Sequence, residues 1–262
     1  MKLALSSCAV AALLASATAF AADAPAAAEP APAPEHTFTA NVGVFSQYIF
    51  RGISQTNEDP ALQGGFDYAH SSGLYIGTWA SNVSWIKDGG YQDGSAEIDV
   101  YAGFKNAIGE TGVGYDVGVL QYWYPGNKLN GAKANTTEVY GALSWQWFTA
   151  KYSYAVSSQV FGARNADGTW YLDLAAAYPI GETGVTAGAH WGRQDFSGSA
   201  NGALSYNDWR LSLAYDMGKL GEKLAGTEVG VMYTDNTAKA AGYPKDIFGG
   251  SNQFTGYLKR TF

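Results

Sequence analysis

The sequence predicts an all-β chain, folded as a transmembrane antiparallel up-and-down β-barrel of about twelve strands. Three observations predict it. Apolar and polar residues alternate with a period of two from Phe38 to the last residue. Charged residues make up only 15% of the chain, against about 25% in a soluble domain, while aromatics also reach 15% and glycines number 33. After the first 22 residues no run of 18 apolar residues occurs, so the chain has no candidate transmembrane helix and would cross a membrane through strands.

The N-terminus carries an export signal. Met1-Lys2 is a short positive region, Leu3 to Ala19 is an apolar stretch, and Ala19-Phe20-Ala21 is an A-x-A cleavage site, so residues 1–21 are expected to be a signal peptide cut near Ala21. Leu5-Ser6-Ser7-Cys8 looks like a lipoprotein signal, but it lies too near Met1 to leave an apolar core before the cut. Removal of Cys8 leaves a chain without disulfides, thiolate metal ligands or a cysteine nucleophile. Residues 22–36 form an Ala/Pro-rich tail, expected in the periplasm, that cannot bury a core. The barrel domain is then 37–262. The net charge of −7 becomes −8 once Lys2 is removed, which argues against a nucleic-acid partner.

Strands are expected near 38–50, 61–70, 74–86, 95–106, 113–124, 136–147, 150–158, 169–178, 185–193, 205–215, 227–234 and 252–262. In the first, Phe38, Ala40, Val42, Val44, Tyr48 and Phe50 share the apolar face and Gln47 and Arg51 the polar one. The third is the least regular, because Trp79 and Trp85 oppose Leu74 and Ile76. Pro60, Pro125, Pro179 and Pro244 all fall between strands, where no ladder donor is needed. Short connections at 71–73, 107–112, 148–149 and 179–184 alternate with longer ones at 125–135, 159–168, 194–204 and 235–251, the pattern of periplasmic turns and extracellular loops. The stretch 216–226 is long where a short turn is due. The turn at Phe148-Thr149 would pair Trp147 with Ala150 on the apolar face. Ile108-Gly109-Glu110-Thr111-Gly112-Val113 recurs as Ile180-Gly181-Glu182-Thr183-Gly184-Val185, either as a duplicated hairpin or as one turn geometry chosen twice.

The apolar face is expected to meet lipid. Tyr115/Trp123, Trp170/Tyr178 and Phe254/Phe262 each place aromatics eight residues apart on it. That is ~26 Å along a strand and ~20 Å along the axis after a tilt of ~40°, near the ~25 Å apolar band between two aromatic girdles. The partners expected are therefore outer-membrane lipid and lipopolysaccharide. Phe254, Leu258 and the terminal Phe262 share a face and resemble the signature read by the barrel-assembly machinery.

Val44-Phe45-Ser46-Gln47-Tyr48-Ile49-Phe50-Arg51-Gly52-Ile53-Ser54-Gln55-Thr56 resembles the opening motif of the TorF-type porins, a proteobacterial family. The resemblance continues through Pro60 to Tyr68 and Gly73 to Val83, and is specific over about residues 41–124. It implies an outer-membrane location and a channel, without a substrate or functional residues.

The polar face is expected to line the lumen with Arg51, Asp67, Glu97, Asp99, Lys105, Asp116, Glu138, Lys151, Asp173, His190, Asp208, Arg210 and Glu228, and with Arg193 and Lys259. Its acidic excess biases an open pore weakly toward cations. If these groups instead pair across strands, they fill the lumen and close it. Glu97 and Asp99, at i and i+2, could do acid–base work or bind Ca²⁺, but are more often solvated or bridged to Arg. Three scattered histidines make no metal site, and no cofactor is implied. A barrel hydrolase needs a base beside its nucleophile; His190 is expected to face inward, away from lipid, and no G-x-S-x-G occurs. A non-conducting structural or adhesive barrel stays open beside the expected function, passive diffusion of small hydrophilic solutes. Gly112-x-Gly114 lies on a strand and is no phosphate loop.

Overall fold

A computed structural model describes residues 34–91, 93–126, 129 and 132–262. The expected signal peptide, and most of the Ala/Pro tail, lie outside the described residues. Alternation in the sequence becomes a closed ring of twelve antiparallel strands. They are β1 (His36–Phe45), β2 (Ala61–His70), β3 (Leu74–Asn82), β4 (Ala96–Ala107), β5 (Val113–Trp123), β6 (Thr136–Trp145), β7 (Phe148–Ala155), β8 (Trp170–Pro179), β9 (Val185–Asp195), β10 (Tyr206–Asp216), β11 (Thr227–Asn236) and β12 (Gln253–Thr261). Each strand pairs with its sequence neighbour. β1 closes the ring on β12 from Asn41↔Thr261 to Phe45↔Tyr257. No edge is left unpaired, as a spanning sheet requires in lipid.

Two residues per pleat fix the faces. Phe38, Val42, Val44, Leu62, Phe66, Val117, Leu211 and Leu258 are exposed on the outside. So are Trp123 and Phe254 at one end and Tyr178 and Phe262 at the other, two aromatics from each expected girdle. Among the described residues no helix is long and apolar enough to cross a membrane.

The connections differ by end. At the end holding the termini they are 71–73, 108–112, 146–147, 180–184 and 217–226. The last is long but compact, folded into two 3-10 turns, Met217–Leu220 and Glu222–Leu224. The repeated hexapeptide makes one geometry twice. Ile108 and Ile180 each donate 2.8 Å bonds to Val113 and Val185, and Thr111 and Thr183 each turn a hydroxyl back to the Ile carbonyl at 2.7 Å.

Three expectations are corrected. The sixth hairpin turns at Gln146-Trp147, with Trp145 opposite Phe148 and Leu143 opposite Ala150. Gln146 takes the positive φ, 51°, that such a tight loop needs. The shift of two residues preserves the faces, and Trp147 packs edge-on against Tyr178 at 4.8 Å. The third strand ends at Asn82, not 86; the chain then makes a short helix, Trp85–Asp88, that buries Trp85 and Ile86. That resolves its irregular pattern, since Trp79 points into the barrel and Trp85 belongs to a loop. The first strand ends at Phe45, not 50. Tyr48 and Phe50 keep the apolar period but turn inward, because aromatic partners wait there: Trp79 at 5.3 Å from Tyr48, and Tyr122 and Phe161 at 5.6 and 5.5 Å from Phe50.

Candidate functional site: the hairpin-closed mouth

The chain leaving β1 does not rise away from the barrel. Residues 46–60 fold into it, and Ile49–Phe50 pairs with Ile53–Ser54 as a small hairpin. Its two-residue turn is Arg51-Gly52, with φ of 46° and 77°. Both positive angles fit a type I′ loop, the form that matches strand twist. Gly52 is required twice over: a Cβ there would also collide with the Asp208 side chain. The base is tied by Gln55 N to the Tyr48 carbonyl at 2.7 Å and Tyr48 N to Thr56 Oγ1 at 3.1 Å.

This hairpin starts between β1 and β2 and ends on the opposite wall. The Arg51 guanidinium donates from Nη1 to Glu138 Oε1 at 2.9 Å and from Nη2 to Oε2 at 2.7 Å, a bidentate pair. Nη1 also donates to Gln194 Oε1 at 2.9 Å. The cation lies over the rings of Tyr171 at 4.4 Å, Phe50 at 4.8 Å and Phe161 at 5.9 Å. The contacts come from β6, β8 and β9, and Asn236 of β11 adds a 2.7 Å bond to the Gly52 carbonyl. Burial works against the Arg51 charge, but Glu138 outweighs it and the guanidinium pKa lies above its ordinary value. Arg51 therefore faces inward as expected, but from a loop and not from the polar face of β1.

Beneath and around the tip, tyrosines hold the inner carboxylates. Tyr48 and Tyr124 each donate to Glu97 at 2.8 Å. Tyr75 donates to Asp116 and Tyr101 to Asp67, both at 2.6 Å, and Tyr257 to Glu228 at 2.7 Å. Glycines on neighbouring strands make room for these rings: a Cβ on Gly103 would strike the Tyr75 hydroxyl, and one on Gly77 the Tyr101 ring. The Tyr75 and Tyr140 hydroxyls also meet. His190 lies between two carboxylates, with Nδ1 3.1 Å from Asp173 and Nε2 2.7 Å from Asp208, and Tyr171 donates to Asp208 Oδ2 at 3.0 Å. An imidazole with an acceptor on each nitrogen donates to both only as imidazolium.

Asp99 is buried at 1% exposure and its Oδ1 has no hydrogen-bond partner among the described residues. Lys151 lies 4.1 Å over the Tyr140 ring, Lys105 5.4 Å over Tyr75, and Lys259 3.1 Å from Glu228. Arg210 shares the inner row of β10 with Asp208. All thirteen candidate residues, and Lys259, thus point inward. Arg193 does not. It lies on the outer row of β9 beside Trp191 and bonds Asp195 at 2.9 Å, because its register parity is opposite to that of Gln194. His36 and His70 pair across β1 and β2 near the termini.

Among the described residues the hydrogen-bond partners of His190 are two carboxylates and a tyrosine, which hold the ring by both nitrogens. Among the described residues no three His, Cys, Asp or Glu side chains are grouped to hold a metal.

The tyrosine–carboxylate bonds carry no sequence signal, because alternation sets the face of a tyrosine and not its partner. The hairpin did leave a signal: Arg51-Gly52 between Ile49-Phe50 and Ile53 is a two-residue turn between short apolar arms.

A family profile described as "Bacterial protein of unknown function (Gcw_chp)" matches residues 27–262. No curated protein matches the chain. Among solved structures, the KdgM porin is similar with a TM-score of 0.53 at 9% identity, over 86% of this chain and 99% of that one. The NanC porin gives 0.53 at 12% identity, over 86% and 99%. A KdgM porin in complex with disordered oligogalacturonate gives 0.52 at 8%, over 86% and 98%. At such identities the likeness is one of fold.

Proposed function

The chain belongs to the Gcw_chp family of bacterial proteins of unknown function, and we propose that it is a narrow outer-membrane channel for passive diffusion of small hydrophilic solutes, weakly cation-preferring and held shut at rest by the Arg51 hairpin. One observation carries the reading: the barrel is apolar outside and charged inside, the inverse of a soluble sandwich. The shared fold with the KdgM and NanC porins supports it, as does the resemblance of residues 41–124 to TorF-type porins.

The cation preference rests on charge placement. Asp67, Glu97, Asp99, Asp116, Glu138, Asp173, Asp208 and Glu228 face inward against Arg51, Lys105, Lys151, Arg210, Lys259 and a protonated His190. Arg193, on the outer row, stands outside this set. Rings of such charge bias ion passage. The packed mouth favours a second reading, a structural or adhesive barrel that does not conduct. Planar-bilayer recording separates the two: single-channel steps with a cation-selective reversal potential support the channel, whereas a heat-modifiable barrel that never conducts, even with the hairpin released, sinks it.

A further inference from the structure

From the geometry of the Arg51 contacts we infer that the wall opposite the hairpin is a receptor for guanidinium groups, occupied in this state by the protein's own Arg51, and that guanidinium-bearing solutes compete for it. The inference rests on the channel reading for its physiological meaning but on the pocket alone for its chemistry.

The fixed half of the contact belongs to the barrel. Glu138 supplies two parallel acceptors and is 2% exposed; Gln194 supplies a third and is also 2% exposed. The Gln194 amide nitrogen is spent on the Trp170 carbonyl at 3.0 Å, so its oxygen is aimed at the guest. Tyr122 lies 3.5 Å from Arg51 Nη2 and bonds Glu138 Oε2 at 3.3 Å, steering the carboxylate. Tyr171 offers a ring face at 4.4 Å. Planar forked donors on one side, a carboxylate and an amide oxygen on the other, and an aromatic face above make the recognition set for guanidinium.

An ammonium would match this set less well, because a point charge cannot use both carboxylate oxygens in plane. A carboxylate guest would be repelled by Glu138 and by the negative face of Tyr171. Arg51 is carried by a hairpin, and its tip is held to the far wall by the guanidinium contacts, the Gly52–Asp208 approach and the Asn236 bond. A soluble guanidinium filling the receptor removes the strongest of these, so guest binding and hairpin release are coupled. The charge around the pocket agrees. Glu97, Asp99, Glu138 and Asp208 lie at the mouth ends of their strands, with Arg51 on Glu138 and His190 on Asp208.

The test is calorimetric titration of refolded full-length barrel with methylguanidinium at millimolar concentration, against tetramethylammonium at equal ionic strength. In wild type the tethered Arg51 competes at a high effective concentration, so Arg51→Ala is expected to bind methylguanidinium about tenfold or more tightly than wild type. Binding should vanish when Glu138→Gln is added to Arg51→Ala. A folded, heat-modifiable Arg51→Ala that binds methylguanidinium no better than tetramethylammonium overturns the inference, as does binding indifferent to Glu138→Gln. Should Arg51→Ala fail to fold, hydrogen exchange of wild type decides: methylguanidinium, and not tetramethylammonium, must lower protection at residues 49–54, and unchanged protection refutes the proposal. Bilayer recording on the same samples keeps the readings apart. Binding without conductance retains the receptor and removes the channel; conductance without binding does the reverse.

Discussion

The two ends of this barrel are built from the same alternating strands yet have opposite interiors. At the mouth Glu97, Asp99, Glu138 and Asp208 are at most 2% exposed and lie among Tyr48, Phe50, Ile86, Tyr122 and Tyr124. At the end holding the termini, Asp67, Asp116 and Glu228 are only partly buried and are matched by Lys105, Lys151 and Lys259. The strands do not make the difference. Short turns such as 71–73 and 146–147 have no residues to spare for a plug. Long connections at the mouth carry apolar side chains that can be buried only inward, since outward they would face water. An apolar loop above a polar lumen is therefore a plug, and the acids beneath it must find protein partners. Buried carboxylates without such partners would be costly, and tyrosine hydroxyls and Arg51 converge on Glu97, Glu138 and Asp208, whereas Asp99 Oδ1 has no hydrogen-bond partner among the described residues.

The contrast can be broken most strongly at Glu138. Glu138→Gln strands the buried Arg51 charge, a loss of about 3–5 kcal/mol, or on the order of 100-fold or more in the docked-to-released ratio. Amide exchange at residues 49–54 should accelerate accordingly while the barrel strands stay protected; exchange as slow as in wild type would show that Arg51 does not hold the hairpin. The wall gives the next effect. Gly103→Ala would press the Tyr75 hydroxyl and the Val117 carbonyl, and should cost about 1–3 kcal/mol in denaturant unfolding. Gly141→Ala meets nothing within 4 Å and should change stability by under about 0.5 kcal/mol. Equal costs at both positions would remove the tyrosine-over-glycine packing from the account.

Selectivity should shift by smaller amounts and unequally. Once the hairpin is released, Asp99→Asn at the mouth should lower the cation-to-anion permeability ratio more than Asp116→Asn at the end holding the termini, where Lys105 and Lys151 already offset the charge. Reversal potentials in a salt gradient read this directly, and a larger effect from Asp116→Asn would reverse the assignment of the selective end. Arg193→Gln should leave the ratio unchanged, because its guanidinium is on the outer row with Asp195; any clear shift would return Arg193 to the lumen.

Most of the wall was legible because lipid and lumen impose opposite demands on successive residues. Ala96 to Phe104 could be sorted against Glu97, Asp99 and Lys105 from the sequence, and the structure keeps that order. The alternation failed where the wall ends. Tyr48 and Phe50 continue the period of Val42 and Val44, but beyond Phe45 the choice is no longer between lipid and lumen. It is between water and a neighbour that only the closed ring brings near. Trp79 and Trp85 were ambiguous for the same reason. Arg51 could be assigned an inward direction but not a partner, since Glu138 is 87 residues away and meets it only across the barrel. Charge alone places Arg193 in the lumen, yet at the rim an outward guanidinium reaches Asp195 and Asn207.

The most direct test of the central claim, a channel closed by its own hairpin, is single-channel recording of Arg51→Ala beside wild type in planar bilayers, both shown by heat modifiability to be folded. The account predicts rare or brief openings in wild type and frequent, larger, cation-selective steps in Arg51→Ala. Identical traces from the two proteins, or silence from both, would contradict it.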